Sequence, residues 1–196
     1  MSNSLYLAAL AVAAIDGLDA VGTRPPFTDS DDYVAGGVLD ANGRHWVVKC
    51  PKNSHASTLI EAEAALAPLL LDELRRGNLP FDIVRPAGFA NAATGGRALV
   101  FPEPFGRVLG WDEMSAADAR ELGRTLAAIH ALEPDVIADA GLPVYSAEEW
   151  RARVSAELHD VDAASPLPAI LRRRWDEALE DSRLWQFEGV VVHGDV

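Results

Sequence analysis

The stretch YVAGGVLDANGRHWVVKCP, residues 33–51, decides the fold of this chain. It contains two runs rich in β-forming residues, 33–39 and 45–50, joined by a segment that includes Asn42 and Gly43. Asn-Gly is a preferred pair for the tight turn of a β-hairpin, because the turn needs a positive φ at its central positions. The stretch therefore predicts an antiparallel hairpin that places Lys49 near the end of its second strand.

The residues after this hairpin predict a long helix and two more strands. The helix is expected over residues 56–76, with Leu59, Leu66 and Leu70 on one stripe and a kink or shift at Pro68. The strands are expected over residues 83–89 and 97–101, separated by a turn-rich segment. Together these elements predict a small sheet with one long helix.

The first residues of the chain form an apolar run, 5–15, that allows two interpretations. A buried amphipathic helix that ends near Gly17 fits its length. A signal peptide is disfavoured because no basic residue precedes the run, which is also too short to span a bilayer. We therefore expect a packed helix at this end.

The chain changes from β-rich to helical character after Phe101. Residues 102–107 contain two prolines and a glycine, a composition typical of a linker. The sequence thus predicts an α+β fold of two lobes. We expect a β-rich N-terminal lobe over residues 1–101, a hinge over 102–110 and a partial helical lobe over 111–196.

Three helices are predicted after this linker. Ser115 with Asp118 and Ser146 with Glu149 match the capping box that opens a helix, and Pro168 suits the first turn of a third helix. The residues expected to face inward are Leu122, Leu126, Ile129, Trp150, Val154, Leu158, Leu171, Trp175 and Ala178.

Lys49 and Glu63 are the first candidates for chemistry. Glu63 shares the helical stripe of Leu59 and Leu66, so it is expected to face the core, where a carboxylate is costly unless it is paired. Glu61 lies on another face and is expected to be solvated. A strand lysine paired with a helix glutamate is the arrangement by which kinases hold the α- and β-phosphates of a nucleotide. The alternative is a lysine at a sheet edge whose ammonium reaches solvent.

The segment before the hairpin carries no glycine-rich phosphate loop. Neither Gly-x-Gly-x-x-Gly nor the P-loop motif occurs, and residues 28–32 read Thr-Asp-Ser-Asp-Asp instead. Ser30 or neighbouring backbone amides are candidates for phosphate contact, although the aspartates would repel phosphate without magnesium. A solvated turn is the alternative interpretation.

The last residues, VVHGDV, break from an apolar strand into His-Gly-Asp. This pattern is typical of the start of a kinase catalytic loop, in which the aspartate accepts or orients the proton of the attacking hydroxyl. Asp195 is therefore the candidate catalytic base. Both magnesium ligands of such a site would lie beyond Val196.

Composition excludes several other functions. A net charge of −13, from 30 acidic and 17 basic residues, disfavours binding to nucleic acid, while a cationic small molecule remains compatible. A single cysteine, Cys50, rules out an internal disulfide and makes a reducing cytoplasm the default location. The His and Cys spacing predicts no metal site, and no serine-hydrolase motif occurs. No membrane partner is expected.

These features together resemble the aminoglycoside phosphotransferase-like family, and within it the macrolide phosphotransferases of actinobacterial type. The segments that carry the resemblance are residues 43–51, 119–132, 173–179 and 184–187 leading to 191–195. It implies a protein-kinase-like fold in which Mg²⁺ and ATP or GTP support transfer of the γ-phosphoryl group to a hydroxyl. Macrolide kinases favour GTP.

The resemblance also assigns roles to individual residues. Asp195 would be the catalytic base, Lys49 the phosphate clamp and Glu63 its partner. The hinge around residues 101–105, with Phe101, Glu103 and Phe105, would recognise the purine through backbone groups. Its side chains therefore do not distinguish ATP from GTP.

The family pattern continues past Val196. We expect a truncated chain that lacks both metal ligands and much of the acceptor pocket, is inactive alone and can self-associate through uncovered helix faces. Three functions stay open: a kinase of macrolide or aminoglycoside antibiotics, a kinase of a metabolic alcohol, and a non-catalytic nucleotide-binding or interaction module.

Overall fold

The computed structural model describes residues 3–106 and 110–192. The chain divides into two compact units, the first running to Ile129 and the second beginning at His130. The hinge predicted over residues 102–110 lies within the first unit and is described only in part. That boundary therefore stays a prediction.

The first unit is built on one antiparallel sheet of six strands. The strands follow the order β1-β3-β4-β6-β5, with β2 also paired to β3. Their bounds are Ala20–Thr23 (β1), Thr28–Asp29 (β2), Tyr33–Asp40 (β3), His45–Pro51 (β4), Gly88–Asn91 (β5) and Arg97–Pro102 (β6). The predicted hairpin is confirmed as β3 and β4, and Gly43 has a positive φ, 76°, whereas Asn42 does not.

One face of this sheet is covered by α1, Asn3–Ala14. Leu7 and Leu10 of this helix are buried against Val38 and Val48, which confirms the prediction of a packed N-terminal helix. The approach is close: a Cβ on Gly36 would lie 2.8 Å from Leu7 Cδ1. Burial of this apolar face stabilises the unit.

The opposite face is partly covered by α2, Ser54–Arg75, which packs against β4 and β6. Asn53 caps the helix by accepting from the Ala56 amide at 2.8 Å. The helix continues past Pro68, so the proline does not end it.

The inward stripe of α2 differs from the predicted one. It consists of Ala56, Ile60 and Ala67, whereas Leu59 is 45% exposed. The prediction was wrong for Leu59 and right only in part for Leu66 and Leu70, which are half-buried and line a cavity with Phe101 of the sheet.

The strand predicted over residues 83–89 is also partly wrong, because β5 begins only at Gly88. Pro86 has no N–H to donate to a ladder and restricts the residue before it. Gly88 itself lies against the Ala14 carbonyl group of α1, where a side chain has no room. Strands β1 and β2 were not predicted.

The helical part of the chain follows the capping signals. The first unit closes with a 3₁₀ turn, Trp111–Glu113, and α3, Ala116–His130, whose last residue belongs to the second unit. The second unit contains α4 (Asp135–Asp139), α5 (Ala147–Ala164), α6 (Ala169–Glu180) and a 3₁₀ turn, Ser182–Trp185. Ser115 and Ser146 both form the predicted capping interactions, with Asp118 and Glu149 respectively.

The faces predicted to be buried on these helices are covered only in part. Leu158 is buried, and Trp150, Leu171 and Trp175 are 42–46% exposed. The others are half-buried: Leu122, Leu126, Ile129, Val154 and Ala178. The predicted apolar strand before His193 is absent as well, since residues 186–192 are irregular and Val192 is 64% exposed. Helical periodicity identified the apolar faces correctly but not whether a partner covers them. Within the described ranges, no helix is long and apolar enough to cross a membrane.

Candidate functional site

The candidate site lies on the α2 side of the sheet, which we call the lysine face. In an antiparallel pair, residues directly opposite each other point to the same side. Ala35 pairs with Lys49, and Gly37 pairs with Val47, which in turn pairs with Phe101. These residues therefore share one face, opposite to the one that α1 covers.

Lys49 and Glu63 meet on this face. Lys49 Nζ donates to Glu63 Oε2 at 2.6 Å, with the two side chains 29% and 45% exposed. The structure thus brings the predicted pair together, but Glu63 does not face the core as expected. It borders the buried stripe, three residues after Ile60 and four before Ala67, and reaches the lysine from there.

Glu61 belongs to a different ion pair on the same helix. It binds Arg97 at the start of β6 through two hydrogen bonds. The arginine lowers the pKa of Glu61 through these bonds, against an opposing effect of partial burial. The side chain is 44% exposed, so the expectation of a solvated glutamate holds only in part.

Tyr33 is a member of the site that sequence reasoning missed. Its ring centroid lies 4.8 Å from Lys49 Nζ, within the range of a cation–π contact. Burial raises the pKa of Tyr33, and Asp32 and Glu63 add to this while Lys49 opposes it, so the phenol stays neutral near pH 7. The signal was available, because residues 33, 35 and 37 share a face of a strand opposite Lys49.

The turn between β2 and β3 carries Ser30, the predicted phosphate contact. Ser30 Oγ accepts from the amides of Asp32 and Tyr33 at 3.3 and 3.1 Å, so the hydroxyl closes its own turn. These two amides are therefore engaged within the loop. A phosphate contact by Ser30 stays a prediction.

This acidic turn is fastened to the residues that follow β4. Lys52 Nζ donates to Asp29 and to the Ser30 carbonyl, and Asn53 Nδ2 donates to Asp32 Oδ1 at 2.8 Å. Hydrogen bonding by Lys52 lowers the pKa of Asp29, with burial opposing. Lys49 and Lys52 are the only two lysines in the sequence. One faces Glu63 and the other neutralises part of the negative turn.

The predicted hinge residues lie at the end of β6. Phe101 is half-buried on the lysine face, while Phe105 is fully exposed. The Glu103 amide donates to the His45 carbonyl at 3.0 Å, and Pro102 and Pro104 have no N–H. Among residues 102–106, the backbone amides left to bind a base are those of Phe105 and Gly106.

A cavity of about 170 Å³ opens beside Glu63. It is lined mainly by apolar side chains of α2 and of the segment before β5, together with Phe101. The cavity is too small for a nucleotide but extends the lysine face toward α2.

Asp195, the predicted catalytic base, lies outside the described residues. The residues that are described contain no group of three His, Cys, Asp or Glu side chains placed to hold a metal ion. Kinases hold magnesium through one or two side chains together with the nucleotide phosphates, so a group of three ligands is not what they use, and we assign no step to the metal.

A model of the phosphotransferase enzyme family, APH, matches residues 38–196. No curated protein sequence matches the chain significantly.

Solved structures show the same fold. Macrolide 2'-phosphotransferase type I has a TM-score of 0.69 at 23% identity, covering 92% of this chain and 60% of that one. Macrolide 2'-phosphotransferase MphH from Brachybacterium faecium has a TM-score of 0.70 at 24% identity, covering 96% and 64%. A GDP and kanamycin complex of APH(2")-IIia has a TM-score of 0.72 at 19% identity, covering 97% and 64%. The predicted α+β, kinase-like fold is confirmed, and the chain spans 60–64% of the length of these structures.

Proposed function

The chain belongs to the phosphotransferase enzyme family, and from this premise we propose that it supplies the nucleotide-binding sheet of a small-molecule O-phosphotransferase. The observation that carries the proposal is the 2.6 Å contact between Lys49 and Glu63 on an incompletely covered sheet face. A phosphotransferase needs a fixed positive charge at the nucleotide phosphates, and Lys49, held in place by Glu63, supplies one.

Lys49 acts as the phosphate clamp in this proposal. An ammonium has three donors, and Glu63 accepts one of them. Tyr33 limits the movement of the lysine on another side. The ammonium is thus held in place while it can still donate to phosphate oxygens, which is the positioning that phosphoryl transfer depends on.

The remaining parts follow from the order of the chain. The segment around Phe101, Glu103 and Phe105 binds the base, chiefly through the backbone. Asp195 is the base that accepts the proton of the acceptor hydroxyl. Magnesium would supply charge neutralisation when bound, held by one or two side chains together with the nucleotide phosphates.

The acceptor proposed is a hydroxyl of a macrolide or aminoglycoside. Solved structures of similar fold are named for these antibiotics, and one holds GDP and kanamycin. An acidic chain, with net charge −13, also favours a cationic acceptor over an anionic one. A metabolic alcohol is the second acceptor class and would be distinguished by a screen of acceptors.

Nucleotide binding to the purified chain tests the proposal. Titration calorimetry with GDP and with ADP should show binding of at least one nucleotide. Lys49→Met should weaken it by about 10- to 100-fold, because a charge-assisted hydrogen bond to phosphate is lost. Glu63→Gln should weaken it less, by loss of lysine positioning. Glu61→Gln, which removes a neighbouring carboxylate paired with Arg97, is the matched control and should bind like the wild type.

Phosphoryl transfer to an acceptor is tested by an activity assay on the whole protein that contains this sequence. Asp195→Asn should lower phosphorylation of an antibiotic acceptor by about 10²- to 10⁴-fold, the usual contribution of a general base, with nucleotide affinity unchanged. Absence of nucleotide binding to the wild type, or equal binding by Lys49→Met, would refute the proposal. Nucleotide binding without any transfer would instead support a non-catalytic module.

A further inference from the structure

Arg24 lies on the lysine face although it belongs to the loop after β1. A Cβ placed on Gly37 would meet the Arg24 guanidinium, 2.6 Å from Nε and 2.7 Å from Nη2. Gly37 shares its side of the sheet with Val47 and Lys49, so the guanidinium lies directly on that face. The Arg24 amide also donates to the Gly37 carbonyl at 2.9 Å, which fixes the backbone next to it.

Glu103, which follows β6, forms an ion pair with this guanidinium. Arg24 Nη2 and Glu103 Oε1 are 2.5 Å apart, and Glu103 Oε2 lies 3.4 Å from His45 Nδ1. Arg24 is anchored to β3, whereas Glu103 is anchored to β4 through the His45 carbonyl. The ion pair, which we call the Arg24–Glu103 bridge, therefore spans the strands that carry Gly37 and Val47.

The bridge lies where a nucleobase would have to sit if the proposed function is correct. Val47 precedes Lys49 by two residues, about 7 Å along the strand, so a base over Val47 would place its phosphates near the lysine. A planar base bound to this face would lie in van der Waals contact with the strands. The guanidinium already occupies that space above Gly37.

We propose that the Arg24–Glu103 bridge is a gate over the nucleobase site, which closes in the free protein and must open before a purine nucleotide binds. The inference rests on the proposed nucleotide site and adds a regulatory contact to it. A nucleotide that binds only the open form has its affinity reduced by the fraction of the protein that is open.

The size of the effect follows from the exposure of the pair. The Arg24 and Glu103 side chains are 51% and 31% exposed, so solvent screens their attraction. Pairs of this kind shift an equilibrium modestly, and opening the gate should raise nucleotide affinity by about two- to five-fold. Salt weakens exposed pairs, so the gain should shrink as ionic strength rises.

Gly37 gives a way to open the gate without removing either charge. The glycine has no positive φ, so alanine fits its backbone, but the new Cβ would push the flexible guanidinium away. Gly22→Ala is the matched control, because a Cβ there makes only ordinary contact, 3.6 Å from Leu39 Cβ.

Titration calorimetry with GDP and ADP on the whole chain tests the gate. Arg24→Gln and Glu103→Gln should each raise affinity by about two- to five-fold, and the double variant should gain no more than either single one. Gly37→Ala should reproduce the gain. Arg75→Gln, which breaks a surface pair with Asp72, and Gly22→Ala should bind like the wild type.

The outcomes distinguish a failure of the gate proposal from a failure of the proposed nucleotide site. Unchanged or weaker binding by Arg24→Gln would overturn the gate, since the arginine would then be inert or a direct ligand. If Lys49→Met still loses binding in that case, the proposed function stands. A gain in Arg24→Gln that Gly37→Ala does not share would also overturn the gate, because the effect would come from charge alone. A wild type that binds neither nucleotide would overturn both proposals.

Discussion

The sheet of the first unit and the helices of the second differ in how much apolar surface they bury. Val48, Leu99 and Val100 in the sheet are fully buried, whereas Ile170 and Trp175 on α6 are 63% and 46% exposed. Among the described residues, the buried hydrophobics after His130 are Leu132 and Leu158. Both regions have well-formed caps and turns, so local signals alone do not produce a core.

The same difference explains where the candidate site lies. Lys49 is held by a strand paired on both sides and by a helix whose Ile60 is fully buried. A charged side chain can be positioned to within a fraction of an ångström only on such a rigid base. The helices of the second unit, in the part described, offer fewer buried side chains to hold a charged group in place.

The largest expected effect is the difference in stability cost between a truncation in the core of the sheet unit and one on the exposed face of α6. Ile60→Ala should destabilise the sheet unit by about 2–5 kcal/mol, because it leaves a cavity under α2. Leu171→Ala on α6, where the side chain is 44% exposed, should change stability by less than about 0.5 kcal/mol. Urea unfolding followed by hydrogen exchange of peptides from each unit measures both. Equal costs would contradict the contrast in burial.

The sequence predicted the elements that depend on neighbours close along the chain. The β3–β4 hairpin follows from two runs of β-forming residues joined by Asn42-Gly43, and α5 follows from Ser146 and Glu149. These signals act within a few residues, so tertiary structure does not have to be known. Strand β2, with two residues, is too short to leave such a signal.

Predictions that depended on distant contacts succeeded less well. Leu59 was expected to be buried and is not, because Ala56, Ile60 and Ala67 of α2 face the sheet instead. Glu63 was paired with Lys49 on the argument that it faces the core, whereas it reaches the lysine from a half-exposed position. The contact of Arg24 with Glu103 joins residues 79 apart, and no local pattern indicates it.

A smaller effect is expected from the cap of α5. Ser146→Ala should cost about 1 kcal/mol of helix stability, because the hydroxyl accepts from the Glu149 amide. Ser155→Ala, at an exposed position inside the same helix, is the control and should be neutral or slightly stabilising. Hydrogen exchange should show the loss in α5 and none in the sheet. A loss that spreads to β3 and β4 would mean that the two units unfold together.

The smallest effect concerns the acidic turn near Lys49. Lys52 lowers the pKa of Asp29. The contact therefore contributes its full stability above the ordinary carboxyl pKa, which is near 4. That stability is lost as the pH falls through the lower pKa that Asp29 has in the folded protein. The turn should therefore be unaffected between about pH 5 and 8, which lies above that range. NMR titration of the Asp29 carboxylate should give a midpoint below that of an exposed aspartate, and Lys52→Met should raise it. A midpoint that Lys52→Met leaves unchanged would show that the lysine does not hold the turn.

The most direct test of the account uses the two lysines of the chain as internal probe and control. An acylating reagent is applied with and without a bound nucleotide, and mass spectrometry measures the modification of Lys49 and Lys52 separately. In the proposed function Lys49 binds the phosphates, so we predict that nucleotide protects Lys49 and leaves Lys52, engaged with Asp29, much less affected. Protection of neither lysine in the presence of saturating nucleotide, or of Lys52 alone, would contradict the assignment of Lys49 as the phosphate clamp.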